Sequence, residues 1–234
     1  TDDMQTTPTL NPTADQTFEI EGTGAYDFRK IRDKARRLQR EGAVEKACEL
    51  RFQAFQRLYE LLPDEEETIL EWRHANTQAA LEILYQSAVD HFLIGDYEMS
   101  AALVEMLLTH DPEDHLESIE LLGFVYLEME EYDSFDEIVN DLSDKSPARE
   151  ILLLWQAFRR EGRLPEGEVV RLKSRFAPWH AEFTADLHPA DEAYLKAIES
   201  ERPTPQAQAR ELWLRTETLW ERHPDFIEAL RRTR

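Results

Sequence analysis

One interval shapes this sequence more than its composition does. Gly95-Asp96-Tyr97 is answered by Glu130-Glu131-Tyr132, and Asp111-Pro112 by Ser146-Pro147. The paired tyrosines and the paired prolines are each displaced by 35 residues, from 97 to 132 and from 112 to 147. Between these marks, Ser100-Ala101-Ala102-Leu103-Val104 answers Phe135-Asp136-Glu137-Ile138-Val139. A period of this size means stacked units that bury their faces against their neighbours, not one closed core.

Each copy reads as two helices. Leu81, Leu84, Tyr85, Ala88, Phe92 and Leu93 recur at three- and four-residue steps, which is one helical face. Gly95 ends that helix, because glycine takes the left-handed cap at little cost. Ala101, Leu103, Val104, Leu107 and Leu108 mark the second helix. It stops before Pro112, since the residue ahead of a proline is pushed out of the helical region.

Leu122-Gly123-Phe124-Val125-Tyr126, the Gly95-Asp96-Tyr97 turn and the closing Pro112 and Pro147 together resemble the tetratricopeptide repeat. Two positions depart from that pattern. The small residue early in the second helix is Ser100 in one copy and Phe135 in the other, and the glycine of Leu-Gly is Ala88 in the first copy. The resemblance implies an all-α fold, a tetratricopeptide-like α-α superhelix (a helix-turn-helix solenoid). Its terminal repeats would be degenerate and its C-terminal helices would cap it. Repeats are expected at 28–62, 81–114, 116–149 and 149–178, within a helical region 25–178. The cap is expected at 179–234.

Outside the two clear copies the chain is read in order. Residues 1–24 are polar and are expected to form a flexible tail, with Phe18 and Ile20 as its anchor. Tyr26 to Glu41 reads as a strongly basic helix ended by Gly42, and Val44 to Leu62 as its partner. That basic helix suits an acidic peptide, or is balanced internally by the acidic run Asp64-Glu65-Glu66-Glu67; the internal balance is preferred. Asp64 reads as the N-cap of a helix reaching Ile94, about 45 Å at the usual rise, which either runs as one long helix with Trp72 on an extra surface or bends near Asn76-Thr77; the single helix is preferred. Ala148 to Gly162 and Glu166 to Phe176 read as a worn repeat. Short helices follow from Trp179 and Pro189. A long one is capped by Thr204-Pro205 and stops at His223-Pro224.

Charge narrows the function. The formal net charge is −22, and no Lys or Arg occurs between Arg73 and Lys145. Such an excess argues against a nucleic-acid or anionic-membrane surface and is compatible with a highly soluble protein, which is preferred, with a basic partner, or with a salt-rich cytoplasm. The single cysteine, Cys48, excludes an internal disulfide and zinc sites built on paired thiolates. None of the seven glycines forms a phosphate-binding loop. No signal-peptide pattern or long apolar run stands out, and the expected compartment is the cytoplasm. No cofactor, no catalytic residues and no metal are expected. Two His/acid clusters, His110/Asp111/Asp114/His115 and His180/Glu182/Asp186/His188, are the only places where a metal-dependent hydrolase could reside.

The working expectation from the resemblance is therefore a scaffold, adaptor or chaperone, not an enzyme. It would bind a peptide or helix of another protein, one carrying some basic residues, in a concave groove lined by the first helix of each repeat. The groove candidates are Arg32 and Arg36, then Glu82, Tyr85, Val89 and Phe92, then Glu120, Phe124 and Leu127, then Gln156 and Arg159. The Lys/Asn set that clamps a C-terminal carboxylate in the best-known subclass is missing. Docking on cytosolic heat-shock chaperones is accordingly not expected. The competing class is a self-assembling protein, a homodimer driven by Trp213, Trp220 and Phe226.

Overall fold

Gly42 and Gly95 sit at φ 83° and 82°, in the left-handed region that a side chain disfavours. Each closes a tight turn between antiparallel helices, and the rest of the fold hangs on such turns. The computed structural model describes residues 8–63 and 68–234. These residues carry a short β-hairpin and twelve α-helices, so the fold is all-helical but for the hairpin. The chain divides into two packed units, 1–122 and 123–234.

The first unit begins with β1 (Leu10–Pro12) and β2 (Phe18–Ile20), paired antiparallel with Leu10 opposite Ile20. The expected flexible tail thus has regular structure from residue 10 to residue 20. Ile20 is fully buried, and its backbone N–H donates to Thr77 Oγ1 at 2.9 Å. α1 (Phe28–Arg40) follows, with Asp27 accepting from the Lys30 N–H as its cap. α2 (Val44–Leu61) packs antiparallel on it through Ala47, Ala54 and Leu58. α3 (Ala75–Leu93) then packs on both α1 and α2, and α4 (Tyr97–His110) packs on α3.

The single long helix expected up to Ile94 is not present. Its first residues, 64–67, lie outside the described residues. From Thr68 to His74 the chain is extended and turning, and the helix starts only at Ala75, capped by the His74 ring. The reason is tertiary hydrogen bonding that local propensity does not register. The Phe18 N–H donates to the Ile69 carbonyl and the Glu71 N–H to the Phe18 carbonyl, each at 2.8 Å. The Leu70 N–H is spent on the His110 carbonyl at the end of α4. Trp72 does not project either; it stacks on His115 with ring centroids 4.8 Å apart. Buried Asn76 locks this corner, accepting from the Phe28 N–H and donating to the Ile20 and Tyr26 carbonyls.

α5 (Ile119–Glu128) carries the boundary between the units. In the second unit, α6 (Tyr132–Ile138) is half the length of α4 and passes into a 3-10 turn. Its sequence explains the early end. Phe135 is its one buried side chain, and Asp141 and Ser143 follow where α4 has Met106 and Leu108. The turn before α6 has Glu130 where the first copy has Gly95, and Glu130 holds φ at 58°. A left-handed non-glycine residue costs about 1–2 kcal/mol.

The remaining helices are α7 (Pro147–Glu161), α8 (Glu166–Arg175), α9 (Ala177–Phe183), α10 (Glu192–Ile198), α11 (Pro205–Arg222) and α12 (Pro224–Arg231). Ser146 and Thr204 cap α7 and α11, each with proline in the first turn. The core of this unit is aromatic. Trp155, Trp220 and Phe226 lie within 5.0–5.4 Å of one another, and Phe183 and Phe124 close on Trp220 edge-on. Among the described residues no helix is long and apolar enough to cross a membrane.

Candidate interaction surface

The charged end of the expected groove is satisfied from within. α1 and α3 run side by side, which brings Arg32 Nη1 to Glu82 Oε2 at 3.0 Å and Arg36 Nη2 to the same oxygen at 3.4 Å. Gln78 donates to the other Glu82 oxygen at 3.1 Å. Three donors on one carboxylate leave it little capacity for a ligand. Tyr85 is half-buried on the same helix. Val89 and Phe92 are 5% and 0% exposed, and Phe92 packs edge-on against Tyr97. They are core residues of the first unit, not groove lining. Glu120 is half-buried near the start of α5.

The candidates in the second unit fare similarly. Phe124 and Leu127 are 1% and 0% exposed and belong to its core. Gln156 donates to Asp136 at 3.0 Å. Arg159 donates to the Leu127 carbonyl, Glu128 and Glu130, at 3.0, 3.2 and 2.9 Å, while lying over the Trp155 ring. Glu128 is buried and also takes Arg222 and His223, so this knot of charge is structural. The expected apolar middle of the groove is therefore packing, and its charged members are paired.

The tryptophan patch is overturned as a surface. Trp213, Trp220 and Phe226 are 6%, 3% and 0% exposed. Trp220 Nε1 donates to Thr216 Oγ1 at 2.8 Å, so its polar edge is satisfied too. These side chains are core residues of the second unit.

The two His/acid clusters are also absorbed into structure. His110 Nδ1 donates to the Thr68 carbonyl at 2.6 Å, and Asp114 caps the segment at Ser118 and Ile119. His188 donates to Glu182, which also receives Arg210 at 2.8 Å. Burial, with Lys173 and Arg234 nearby, pushes the His180 pKa down. Among the described residues no three His, Cys, Asp or Glu groups are placed to hold a metal ion.

An aromatic row lies on the flank of α2. Phe52, Phe55 and Tyr59 stack along the helix with centroids 5.6 and 6.1 Å apart, and Phe52 meets the His91 ring at 5.2 Å. The two phenylalanines are half-buried and Tyr59 is 63% exposed. Beneath them α2 is held by a buried ion pair. Arg51 donates to both oxygens of Asp90, at 2.7 and 3.0 Å, and to Gln39 at 2.9 Å. α1, α2 and α3 are thereby tied by one guanidinium. Burial, followed by the Asp90 charge, raises the pKa of the neighbouring Cys48 thiol, which disfavours a reactive thiolate.

Neither the ladder nor the ion pair was picked out from the sequence. The signal was present, because α2 has two apolar stripes, 47/51/54/58 and 48/52/55/59. An arginine in the first stripe, among alanines, marks a buried charge that needs a partner. The chain matches no protein-family model, no curated protein and no solved structure.

Proposed function

We propose that the chain is a cytoplasmic protein-binding module with no catalytic step of its own, built from tetratricopeptide-like helix pairs. The pairs are α1–α2, α3–α4, α5–α6 and the worn α7–α8. Packing at the two departures from the repeat pattern supports the reading. Ser100 Oγ donates to the Ala88 carbonyl at 2.8 Å. Displaced by 35 residues, a Cβ on Gly123 would lie 3.5 Å from the Phe135 ring. The same junction recurs with its bulk exchanged: one copy joins alanine to serine, the other glycine to phenylalanine. α3 also packs against both helices of the preceding pair, as the first helix of a following repeat should.

One observation carries the binding role: the aromatic row Phe52–Phe55–Tyr59 lies at the surface of α2, with Tyr59 exposed. Exposed Tyr59 beside two half-buried phenylalanines suits an interaction site, and tyrosine is enriched at binding hot spots. The ladder takes the role that the sequence reading gave to a groove of first helices. Affinity capture with the full chain tests this. Wild type is compared with Phe55→Ser/Tyr59→Ser and with Arg32→Ser/Arg36→Ser, each checked by circular dichroism for unchanged helix content. A partner retained by wild type and the arginine variant, and lost by the ladder variant, is expected. Loss with the arginine variant alone would return the site to the first-helix groove.

A further inference from the structure

The charge of the first helix pair is one-sided. α2 carries three Lys/Arg and three Asp/Glu, so the positive excess of the pair lies on α1. α1 exposes Arg29, Lys30, Lys34, Arg36, Arg37 and Arg40 against one acid of its own, Asp33, with Glu41 just past its end. Internal pairing reaches the edge of α1 that faces α3, where Arg32 and Arg36 meet Glu82. Lys30, Lys34 and Arg37 stand at four- and three-residue steps on the side away from buried Ala35. Lys30 lies 3.7 Å from the cap carboxylate of Asp27, and Lys34 and Arg37 have no ion-pair partner among the described residues. Like charges at these steps destabilise a helix, and an anionic occupant relieves that repulsion.

We propose that the outer face of α1 binds a short acidic segment of a partner protein, as a second surface distinct from the aromatic row of α2. Charge complementarity selects this occupant. Carboxylates at three- and four-residue steps on a partner helix match Lys30, Lys34 and Arg37, a stripe about 10 Å long. Screening keeps the match local. Beyond about 8 Å at physiological salt an exposed charge contributes little, so a segment seated on α1 meets that helix and not the net charge of the chain. Larger anions lose this shelter. With +4 on residues 27–61 and −22 overall, the rest of the chain stands at −26. A nucleic acid or an anionic bilayer extends far enough to meet it, and a second copy brings the same −22 with its acidic segments.

The probes are fluorescein-labelled three-turn helical peptides, identical except for Glu, Gln or Lys at i, i+4 and i+7. They are titrated with the full chain by fluorescence anisotropy at two salt concentrations, beside a labelled single-stranded oligonucleotide and vesicles containing phosphatidylserine. The Glu peptide should bind about tenfold or more tighter than the others and weaken with salt. Lys34→Glu/Arg37→Glu should lower its affinity about tenfold or more, and Lys34→Gln/Arg37→Gln by less, with helical circular dichroism unchanged in both. Exposed Arg163→Gln/Arg202→Gln in the second unit should leave it unchanged. So should Phe55→Ser/Tyr59→Ser, so that this surface and the aromatic row of α2 stand or fall separately. Absent Glu-peptide binding, equal binding of the Gln or Lys peptide, or binding that survives Lys34→Glu/Arg37→Glu overturns the proposal. An equal loss in Arg163→Gln/Arg202→Gln overturns it as well. Tighter binding of the oligonucleotide or the vesicles, lost in Lys34→Glu/Arg37→Glu, would make the occupant a polyanion; a salt-sensitive dimer lost in that variant would make it a second copy. Glu-peptide binding that emerges only with Glu65→Gln/Glu66→Gln/Glu67→Gln would give the face to the chain's own acidic run. Each of these three results overturns the proposal too.

Discussion

Aromatic side chains are distributed differently in the two units. In the second unit Trp155, Trp220, Phe183 and Phe226 form the buried centre, each at most 3% exposed. In the first unit the core is mainly aliphatic and alanine-rich, and Phe52, Phe55 and Tyr59 are left along the flank of α2. The difference lies in what the neighbouring helices can cover. α11 and α12 lay Trp220 and Phe226 on Trp155. α2 instead spends its inward stripe, Ala47, Arg51, Ala54 and Leu58, on α1 and α3, and its aromatic stripe points aside. Aromatic content alone therefore does not separate a core from a flank; what the neighbouring helices cover does.

Substitutions should separate the two uses. Trp220→Ala removes the middle of the aromatic core and should cost about 3–5 kcal/mol, read by urea denaturation. Arg51→Met leaves Asp90 buried without its partner and should cost about 3–5 kcal/mol. Adding Asp90→Leu should recover most of that loss, because two apolar groups replace both charges. If the double variant is no better than the single one, the pair is not what holds α2 in place.

Gly123→Ala is the next smaller effect. The added methyl would stand 2.8 Å from Leu152 Cδ1, and Leu152 is fully buried. Overpacking of this kind should cost about 1–3 kcal/mol. An unchanged unfolding midpoint would show that α5 and α7 approach less closely.

Acid should act on the second unit through His180. Its folded pKa lies below the ordinary 6.5, so the unfolded chain takes up its proton first as pH falls. Stability from this group is full above pH 6.5 and declines as pH drops through 6.5 toward the folded value. Thermal melts of His180→Gln should show a shallower decline over that window; an identical slope would remove His180 as the cause.

The smallest stability effect belongs to the ladder. Tyr59→Ser should change folding stability by no more than about 0.5 kcal/mol, as an exposed substitution does. A loss as large as that of Trp220→Ala would mean Tyr59 is a packing residue and that the contrast between the units fails.

Much of the fold was legible because it is written locally. Gly42, Gly95 and Gly162 all take the left-handed turn, and Thr204-Pro205 starts α11 where expected. The start of α3 was not legible. Thr68 to Trp72 reads as helix until Phe18 is found hydrogen-bonded beside it, a pairing separated by about fifty residues of chain. The burial of several groove candidates was not legible for a related reason. Periodicity shows that Val89, Phe92, Phe124 and Leu127 lie on apolar faces, but not whether a neighbour covers them. Only packing distinguishes those faces from the flank carrying Tyr59.

Hydroxyl-radical footprinting of the full chain, free and with its captured partner, compares the two sets of aromatics in one experiment. In the free protein Phe52, Phe55 and Tyr59 should oxidise readily and Trp213 and Trp220 slowly, and the partner should protect the ladder. Fast oxidation of the tryptophans, or a ladder left unprotected while Arg32, Glu82 and Tyr85 gain protection, would contradict the assignment of binding to α2.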